Sequence, residues 1–220
     1  MSKNSMSIPK VALTAKPVNL YVDGFNLYHA IDALNEPSLK WLNLRTLGLT
    51  YLRPGEVLNK IVFFTAVLTW DSSKQQRHRS YIKALEAVGV EVVESKFRKV
   101  KKHCRIMNRH CNRYEEKQTD VAIAVTMLAD AMQDTFRRAI LVTADSDQIP
   151  TVKKLRLLFP EKWITLAAPP NRGPEARELG GEVHERSPIE PGRLRSCLLP
   201  RDVYNVYGRK VATRPSSYEP

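Results

Sequence analysis

The sequence has no long apolar run, few cysteines and no continuous apolar leader. No stretch reaches the roughly 20 apolar residues that a membrane helix needs, so we expect no membrane partner. Cys104, Cys111 and Cys197 are too few, and odd in number, for a disulfide framework, which favours a reducing, cytoplasmic location. Residues 1–16 are polar with scattered lysines and lack the apolar stretch of a secretory signal, so we interpret them as a flexible leader.

Acidic residues are scarce relative to basic ones. The 220 residues include 35 Lys and Arg against 23 Asp and Glu, which gives a formal net charge of +12. A field of this sign attracts polyanions such as nucleic acid. A solvated charge run on an otherwise ordinary basic protein is the alternative. Eight basic residues and no acidic residue fall between positions 96 and 113, and with one neighbour they are our candidates for phosphate contacts: Lys96, Arg98, Lys99, Lys101, Lys102, Arg105, Arg109, Arg113 and Lys117.

Apolar runs of strand length alternate with helical patterns from residue 17 to residue 170. The runs are continuous, as in strands that are buried on both faces of a parallel sheet. This alternation predicts an α/β domain with a mainly parallel central sheet. The predicted strands are 18–22, 61–68, 90–97, 139–143 and 163–168, and the main predicted helices are 25–33, 73–88, 119–132 and 147–158.

Two further segments have distinct patterns. In the helix 119–132, we expect Thr119 to be the N-cap. The apolar residues that recur at helical spacing should form its buried stripe, and they are Val121, Val125, Leu128 and Met132.

Residues 171–220 are rich in Arg, Pro, Gly and Glu, and we interpret them as a C-terminal extension that is partly ordered.

Aspartates follow two of the predicted strands. Asp23 comes directly after the run 18–22, and Asp145 and Asp147 come after the run 139–143. Ligands of open α/β sheets bind beyond the carboxyl ends of the strands, so these residues should emerge at one edge. Carboxylate oxygens suit a hard cation such as Mg²⁺. Asp120, in the first turn of its helix, is a further candidate ligand.

Each of these positions also has a structural interpretation. Asp120 favours the start of a helix through its charge, and Asp147 or Ser146 can cap the helix that follows. Asn26 can likewise cap a helix, or it can orient a water molecule or Asp23. A structural role alone is least convincing for Asp23, since a carboxylate directly after an apolar strand is costly to bury.

Three segments resemble the NYN domain, a branch of the PIN-like nuclease superfamily. They are Tyr21-Val22-Asp23-Gly24-Phe25-Asn26-Leu27, Glu115-Glu116-Lys117-Gln118-Thr119-Asp120-Val121-Ala122 and Ile140-Leu141-Val142-Thr143-Ala144-Asp145-Ser146-Asp147. Their order and separation are also similar to those of the family.

The resemblance implies a Rossmann-like, three-layer sandwich with metal-dependent ribonuclease activity. It places the catalytic group on Asp23, Asn26, Asp120, Asp145 and Asp147, and the Mg²⁺ or Mn²⁺ ligands on the four aspartates among them. Two residues depart from the family pattern. Ala144 replaces a usual glycine, which preserves a small residue in the turn, and Gln148 replaces a usual aromatic residue, which puts substrate contacts there in doubt.

The basic segment 98–117 contains four soft metal ligands within nine residues. His103, Cys104, His110 and Cys111 suggest a Zn²⁺ site, although their spacing is not that of a standard zinc finger. A positively charged loop or hairpin with incidental thiols is the alternative. Cys197 has no such neighbours, and we expect it to be inert.

Three functions are compatible with these features. The leading hypothesis is an endoribonuclease that hydrolyses single-stranded RNA, with DNA as a further candidate substrate. The second is an RNA-binding module that does not cleave, and the third is a phosphatase for small phosphoesters. The chain has no glycine-rich phosphate loop and no signature of a covalent nucleophile. A homo-oligomer is compatible with each hypothesis.

Overall fold

The computed structural model describes residues 15–104 and 109–219; for 98–104 and 109–117 it describes the backbone and not the side chains. Within this part of the chain, seven strands form one sheet in the order β4-β3-β2-β1-β5-β6-β7. All neighbouring strands are parallel except β3 and β4, which pair as an antiparallel hairpin. The strands are β1 (Lys16–Asp23), β2 (Glu56–Ala66), β3 (Glu91–Cys104), β4 (Arg109–Lys117), β5 (Arg138–Val142), β6 (Trp163–Leu166) and β7 (Glu185–Arg186).

Helices cover both faces of this sheet. On one face, Leu27, Leu47 and Leu85 from α1, α2 and α3 pack against Val22 and Phe63. On the other face, helices α4, α5 and α6 pack against the alternate residues of the same strands, among them Tyr21 and Phe64. The prediction of a three-layer α/β sandwich is therefore confirmed. The helices are α1 (Gly24–Asp32), α2 (Leu44–Leu49), α3 (Ser72–Ala87), α4 (Thr119–Met132), α5 (Ile149–Leu158), α6 (Arg177–Glu182) and α7 (Pro191–Arg195).

The segment after residue 170 contributes to the same body. Strand β7 extends the central sheet beyond β6, so residue 170 lies between two strands of one sheet. The hairpin of β8 (Asp202–Tyr204) and β9 (Lys210–Thr213) places Val203 and Ala212 in a small core with Trp41 and with Ala84 of α3. The Trp41 indole N–H also donates to the carbonyl of Pro200 at 2.8 Å, which ties this segment to the domain.

The predicted orientation of α4 is wrong. Val121, Val125 and Met132 are exposed, and the helix instead buries Ile123, Met127 and Ala131. Leu128 alone of the predicted stripe packs against the core, and it is partly buried. The buried side also carries Asp130, which is 5% exposed. Its carboxylate accepts hydrogen bonds from the Tyr21 hydroxyl at 2.8 Å and from the Lys60 ammonium at 3.1 Å. Since these partners satisfy the buried charge, the helix can turn that side inward.

The start of α4 also differs from the prediction. Gln118, with a φ of 81°, is the residue before α4, so Thr119 is the first helical residue and not the cap. No helix in the part of the chain described here has the length and apolar character required to cross a bilayer.

The orientation of α4 predicts different effects for two truncations that lie two residues apart. Ile123→Ala should lower the free energy of unfolding by about 2–5 kcal/mol, because it leaves a cavity in the core. Val125→Ala removes a side chain that is 60% exposed, and it should change that free energy by no more than about 0.5 kcal/mol. Urea denaturation followed by circular dichroism measures both; equal losses would contradict the observed orientation.

Candidate metal centre

Three carboxylates converge at the carboxyl edge of the sheet. Asp120 is the second residue of α4, and Asp145 and Asp147 follow the end of β5. One carboxylate oxygen from each of the three lies within 4.8 Å of the other two. The edge therefore contains a concentrated negative charge, built from two segments that are 25 residues apart in the sequence.

A short 3₁₀ turn, Ser146–Gln148, positions the pair that follows β5. Asp145 is its N-cap, and one of its carboxylate oxygens accepts a hydrogen bond from the backbone N–H of Asp147 at 2.9 Å. The expected caps, Ser146 or Asp147, therefore lie inside the turn, and α5 begins only at Ile149. This arrangement directs two carboxylates to one side of the chain within three residues.

Gln148 fixes Asp120 relative to this turn. The Gln148 side chain is completely buried, and its amide N–H groups donate to the backbone carbonyl and the carboxylate of Asp120 at 3.2 and 3.3 Å. Thr151 in turn donates to the Gln148 amide oxygen at 3.1 Å. The departure from the family pattern at position 148 thus supplies a contact that connects the start of α4 to the turn after β5.

Asp23 lies behind the three carboxylates and is 5% exposed. One of its oxygens accepts from the backbone N–H of Asn26 at 3.0 Å, and the other accepts from the Thr143 hydroxyl at 2.9 Å. Asp23 is not within the 4.8 Å group of Asp120, Asp145 and Asp147. The structure therefore brings three of the four expected metal ligands together and places the fourth in a buried hydrogen-bonded position.

Thr143 connects this buried aspartate to the cluster. Besides donating to Asp23, its hydroxyl oxygen accepts from the backbone N–H of Asp145 at 3.1 Å. Asn26 adds a second connection, because its amide oxygen accepts from the backbone N–H of Ala144 at 3.0 Å. Thr143 was not among the predicted site residues, although it lies within the third NYN-like segment.

The pKa of Asp23 is raised to about 6, first by burial and then by the negative charges of Asp120 and Asp145. The hydrogen bonds from Asn26 and Thr143 act in the opposite direction. The pKa of Asp120 is also raised, by burial first and then by the charge of Asp145. Both shifts indicate that these carboxylates are close enough to disfavour one another's ionised forms.

The three clustered side chains fit a divalent cation. All of them offer carboxylate oxygens, and these oxygens lie within 4.8 Å of one another. Two ligands of one Mg²⁺ lie at most about 4.2 Å apart, so small side-chain adjustments would bring the three oxygens to one ion. Among the side chains that the structure describes, no lysine or arginine forms an ion pair with these carboxylates. A cation would therefore supply the missing positive charge.

The candidate phosphate contacts and the candidate zinc ligands lie on or beside the β3–β4 hairpin. Lys96, at the start of the pairing, is exposed. The backbone register places His103 opposite His110 and Lys102 opposite Cys111. Arg105 lies outside the described residues, as do the side chains of Arg98, Lys99, Lys101, Lys102, Arg109, Arg113, Lys117, His103, Cys104, His110 and Cys111.

Comparison with known families identifies the fold. A model of the NYN domain matches residues 17–178, which is most of the chain. The chain belongs to the NYN domain family. The NYN domain is a branch of the PIN-like superfamily, as the sequence motifs indicated. Membership implies a nuclease-like ancestry, and the three clustered carboxylates fit the divalent-metal dependence that is typical of NYN nucleases.

Two individual proteins are also similar to this NYN domain protein. A 6-hydroxy-3-succinoylpyridine 3-monooxygenase from Pseudomonas putida is 25% identical, over 90% of this chain and 74% of its own length. A crystal structure of a protein of unknown function from Vibrio parahaemolyticus has a TM-score of 0.54 and 17% identity, and it covers 84% of this chain and 98% of that one. The similarity to the Vibrio structure supports the fold alone.

The raised pKa of Asp23 predicts how the stability of the metal-free protein depends on pH. Between about pH 4 and pH 6, the folded protein keeps a proton on Asp23 that the unfolded chain has lost. The contribution of Asp23 to the free energy of unfolding should therefore fall as the pH rises through this window, by up to about 3 kcal/mol. Carboxylates with lowered pKa values, such as Glu56 and Glu185, contribute in the opposite direction, so the comparison with Asp23→Asn isolates this group. In thermal unfolding in EDTA, Asp23→Asn should gain stability relative to the wild type as the pH rises; a difference between the two proteins that is independent of pH would contradict the prediction.

Proposed function

We propose that this protein is a metal-dependent endoribonuclease that hydrolyses single-stranded RNA. The observation that carries the proposal is the convergence of Asp120, Asp145 and Asp147 at the carboxyl edge of an NYN domain. Three acidic side chains at this spacing repel one another unless a cation is bound. Their retention at the family's acidic positions favours a working site over an inactive scaffold.

Each side chain has a separate role in this proposal. Asp120, Asp145 and Asp147 hold Mg²⁺ or Mn²⁺, which when bound ionises a water molecule and offsets charge on the phosphate oxygens. Asp23 and Asn26 position the turn after β5, through Thr143 and through the backbone N–H of Ala144. Gln148 holds Asp120 at the same place from the side of α4.

The charge of the chain supports a polyanionic substrate. The net charge is +12, and basic residues are concentrated in the segment that forms the β3–β4 hairpin. Neutralising phosphates with Lys and Arg releases counterions, so we expect binding to weaken steeply with salt. The reducing, cytoplasmic location inferred from the cysteines remains our expectation, and RNA is abundant there.

The Pseudomonas relative raises a second candidate function. That enzyme is named as a monooxygenase of a pyridine that carries an acidic side chain, and the present chain has an aromatic-lined cavity beside Asp23. A monooxygenase consumes dioxygen and a two-electron reductant. The test uses 6-hydroxy-3-succinoylpyridine with reduced nicotinamide adenine dinucleotide as the reductant. Uptake of dioxygen and formation of a hydroxylated product would favour this candidate over RNA hydrolysis.

Removing one clustered carboxylate should abolish most of the RNA cleavage. Asp145→Asn should lower the turnover number by roughly 10²–10³-fold, the range for losing one electrostatic stabiliser of a transition state. EDTA should have a similar effect, and Mn²⁺ or Mg²⁺ should reverse it. Labelled single-stranded RNA and DNA, assayed side by side, give the rate and the preference.

Asp202→Asn is the matched control, because Asp202 lies in the β8–β9 hairpin, apart from the acidic cluster. Its cleavage rate should equal that of the wild type. RNA binding without cleavage in the wild type, at every metal concentration, would instead support the non-cleaving binding module. Hydrolysis of mononucleotides in preference to oligomers would support a phosphatase.

Thr143→Val tests the connection between Asp23 and Asp145. Valine keeps the shape of threonine but removes the hydroxyl that donates to Asp23 and accepts from the N–H of Asp145. We expect Mn²⁺ affinity to fall by about 10–100-fold, as for other residues that orient metal ligands. Calorimetric titration measures it, and Thr213→Val, in the distant hairpin, should leave the affinity unchanged. Equal affinities in Thr143→Val and wild type would remove Thr143 from the site.

A further inference from the structure

A cavity of about 340 Å³ lies beside the acidic cluster, on the face of the sheet that α1 and α3 cover. Its lining begins at Gly24, the residue after Asp23, and includes Thr65 and Ala66 at the carboxyl end of β2. The cavity and the acidic cluster therefore open at the same edge of the sheet, on either side of the end of β1. The volume falls within the roughly 300–1,000 Å³ that is typical of small-molecule sites.

Three aromatic rings line one part of this cavity. Phe97 of β3 makes edge-to-face contacts with Trp70, at 5.1 Å between centroids, and with Phe25 of α1, at 6.5 Å. Phe25 and Trp70 are 46% and 41% exposed, so part of each ring is accessible to a ligand. Aromatic rings grouped in this way suit a planar aromatic ligand, because ring faces and edges attract one another.

The charged residues that line the cavity are all basic. Lys40, Lys74 and Arg77 contribute to its lining, and no aspartate or glutamate does so among the described residues. The Lys40 ammonium pairs closely with Asp32, whereas Lys74 lies 3.8 Å from Asp71 in a looser ion pair. Arg77 bonds to the Tyr218 hydroxyl, which is neutral, so its positive charge is not neutralised by that contact. The excess of basic over acidic side chains in the lining favours an anionic group on the ligand.

The interior also contains neutral polar groups. The His78 imidazole Nε2 lies 3.0 Å from the Thr65 hydroxyl. Burial lowers the pKa of His78 to about 4, and the charge of Arg79 adds to this, while Glu94 opposes it. A neutral imidazole and a hydroxyl can each donate or accept a hydrogen bond, so this pair suits the polar edge of a heteroaromatic ring.

We propose that this cavity binds an unstacked nucleotide of the RNA strand, with its base among Phe25, Trp70 and Phe97 and a flanking phosphate at Arg77 and Lys74. The assignment deepens the proposed ribonuclease function and rests on it, because the same strand must reach the acidic cluster. The underlying chemistry is a planar aromatic ring that carries an anionic group, which free nucleotides and small aromatic acids share.

Isothermal titration calorimetry with AMP and UMP, in EDTA, tests the cavity without any cleavage. Both nucleotides should bind the wild type and Asp145→Asn equally, since the cavity does not include the acidic cluster. Phe25→Leu and Arg77→Gln should each raise the Kd by roughly tenfold, which corresponds to about 1.4 kcal/mol and lies within the range for stacking on one base. In RNA cleavage assays, the same variants should raise KM more than they lower kcat.

Two control variants match these changes. Trp163→Leu removes a similarly exposed aromatic ring on β6, and Arg79→Gln removes a neighbouring arginine of α3 that pairs with Glu94. Neither should alter nucleotide binding. Thermal unfolding of all four variants checks that they fold.

The outcomes separate the two proposals. Nucleotide binding that depends on Phe25 and Arg77, in a protein that never cleaves RNA, would support the cavity and contradict the ribonuclease. RNA cleavage by a protein that binds neither nucleotide would contradict the cavity alone. A third outcome is that the protein binds nicotinate but neither nucleotide, and that this binding depends on Arg77. That outcome would overturn the nucleotide assignment and identify a small aromatic acid as the ligand.

Discussion

The parallel pairing of β1 with β5 is the constraint on which the candidate site depends. Val22 lies opposite Val142 in this pairing, so the residues that follow, Asp23 and Thr143, leave the sheet side by side. Their hydrogen bond at 2.9 Å then connects two chain segments that are 120 residues apart in the sequence. Because the same hydroxyl also accepts from the N–H of Asp145, the direction of the turn after β5 is fixed relative to β1.

The cost of this arrangement is electrostatic. Asp23 is buried next to other carboxylates, and its pKa is raised to about 6 for that reason. The protein compensates in part with hydrogen bonds from Thr143 and Asn26, and with the Gln148 amide at Asp120. Such neutral donors reduce the repulsion but do not neutralise it. A bound divalent cation would neutralise the charge that remains on Asp120, Asp145 and Asp147.

Much of the architecture follows from local patterns in the sequence. The apolar runs at β1, β2 and β5 predict buried parallel strands, and the aspartates after β1 and β5 predict a polar edge. The orientation of α4 could not be predicted in this way, because both sides of the helix are apolar and only the partners of Asp130, Tyr21 and Lys60, decide between them.

The site shows a similar limit. The acidic residues were visible as motifs, whereas the separation of Asp23 from the other three depends on the positions of Thr143 and Asn26. Gln148 looked like a departure from a family pattern, and its contact with Asp120 is a tertiary feature that spans 28 residues. The aromatic cavity could not be predicted from the sequence, because Phe25, Trp70 and Phe97 come from three separate segments of the chain.

The position of the cavity also bears on how NYN domain proteins can differ in chemistry. In our proposal the acidic cluster would hold a hard cation whatever the reaction is, while the cavity would determine which ligand lies beside that cation. A nucleotide held there would bring a phosphodiester to the edge of the sheet, whereas a free aromatic acid would bring a ring without a phosphodiester. Similar folds can thus serve different reactions through the side chains of α1 and α3, and the fold alone does not determine the substrate.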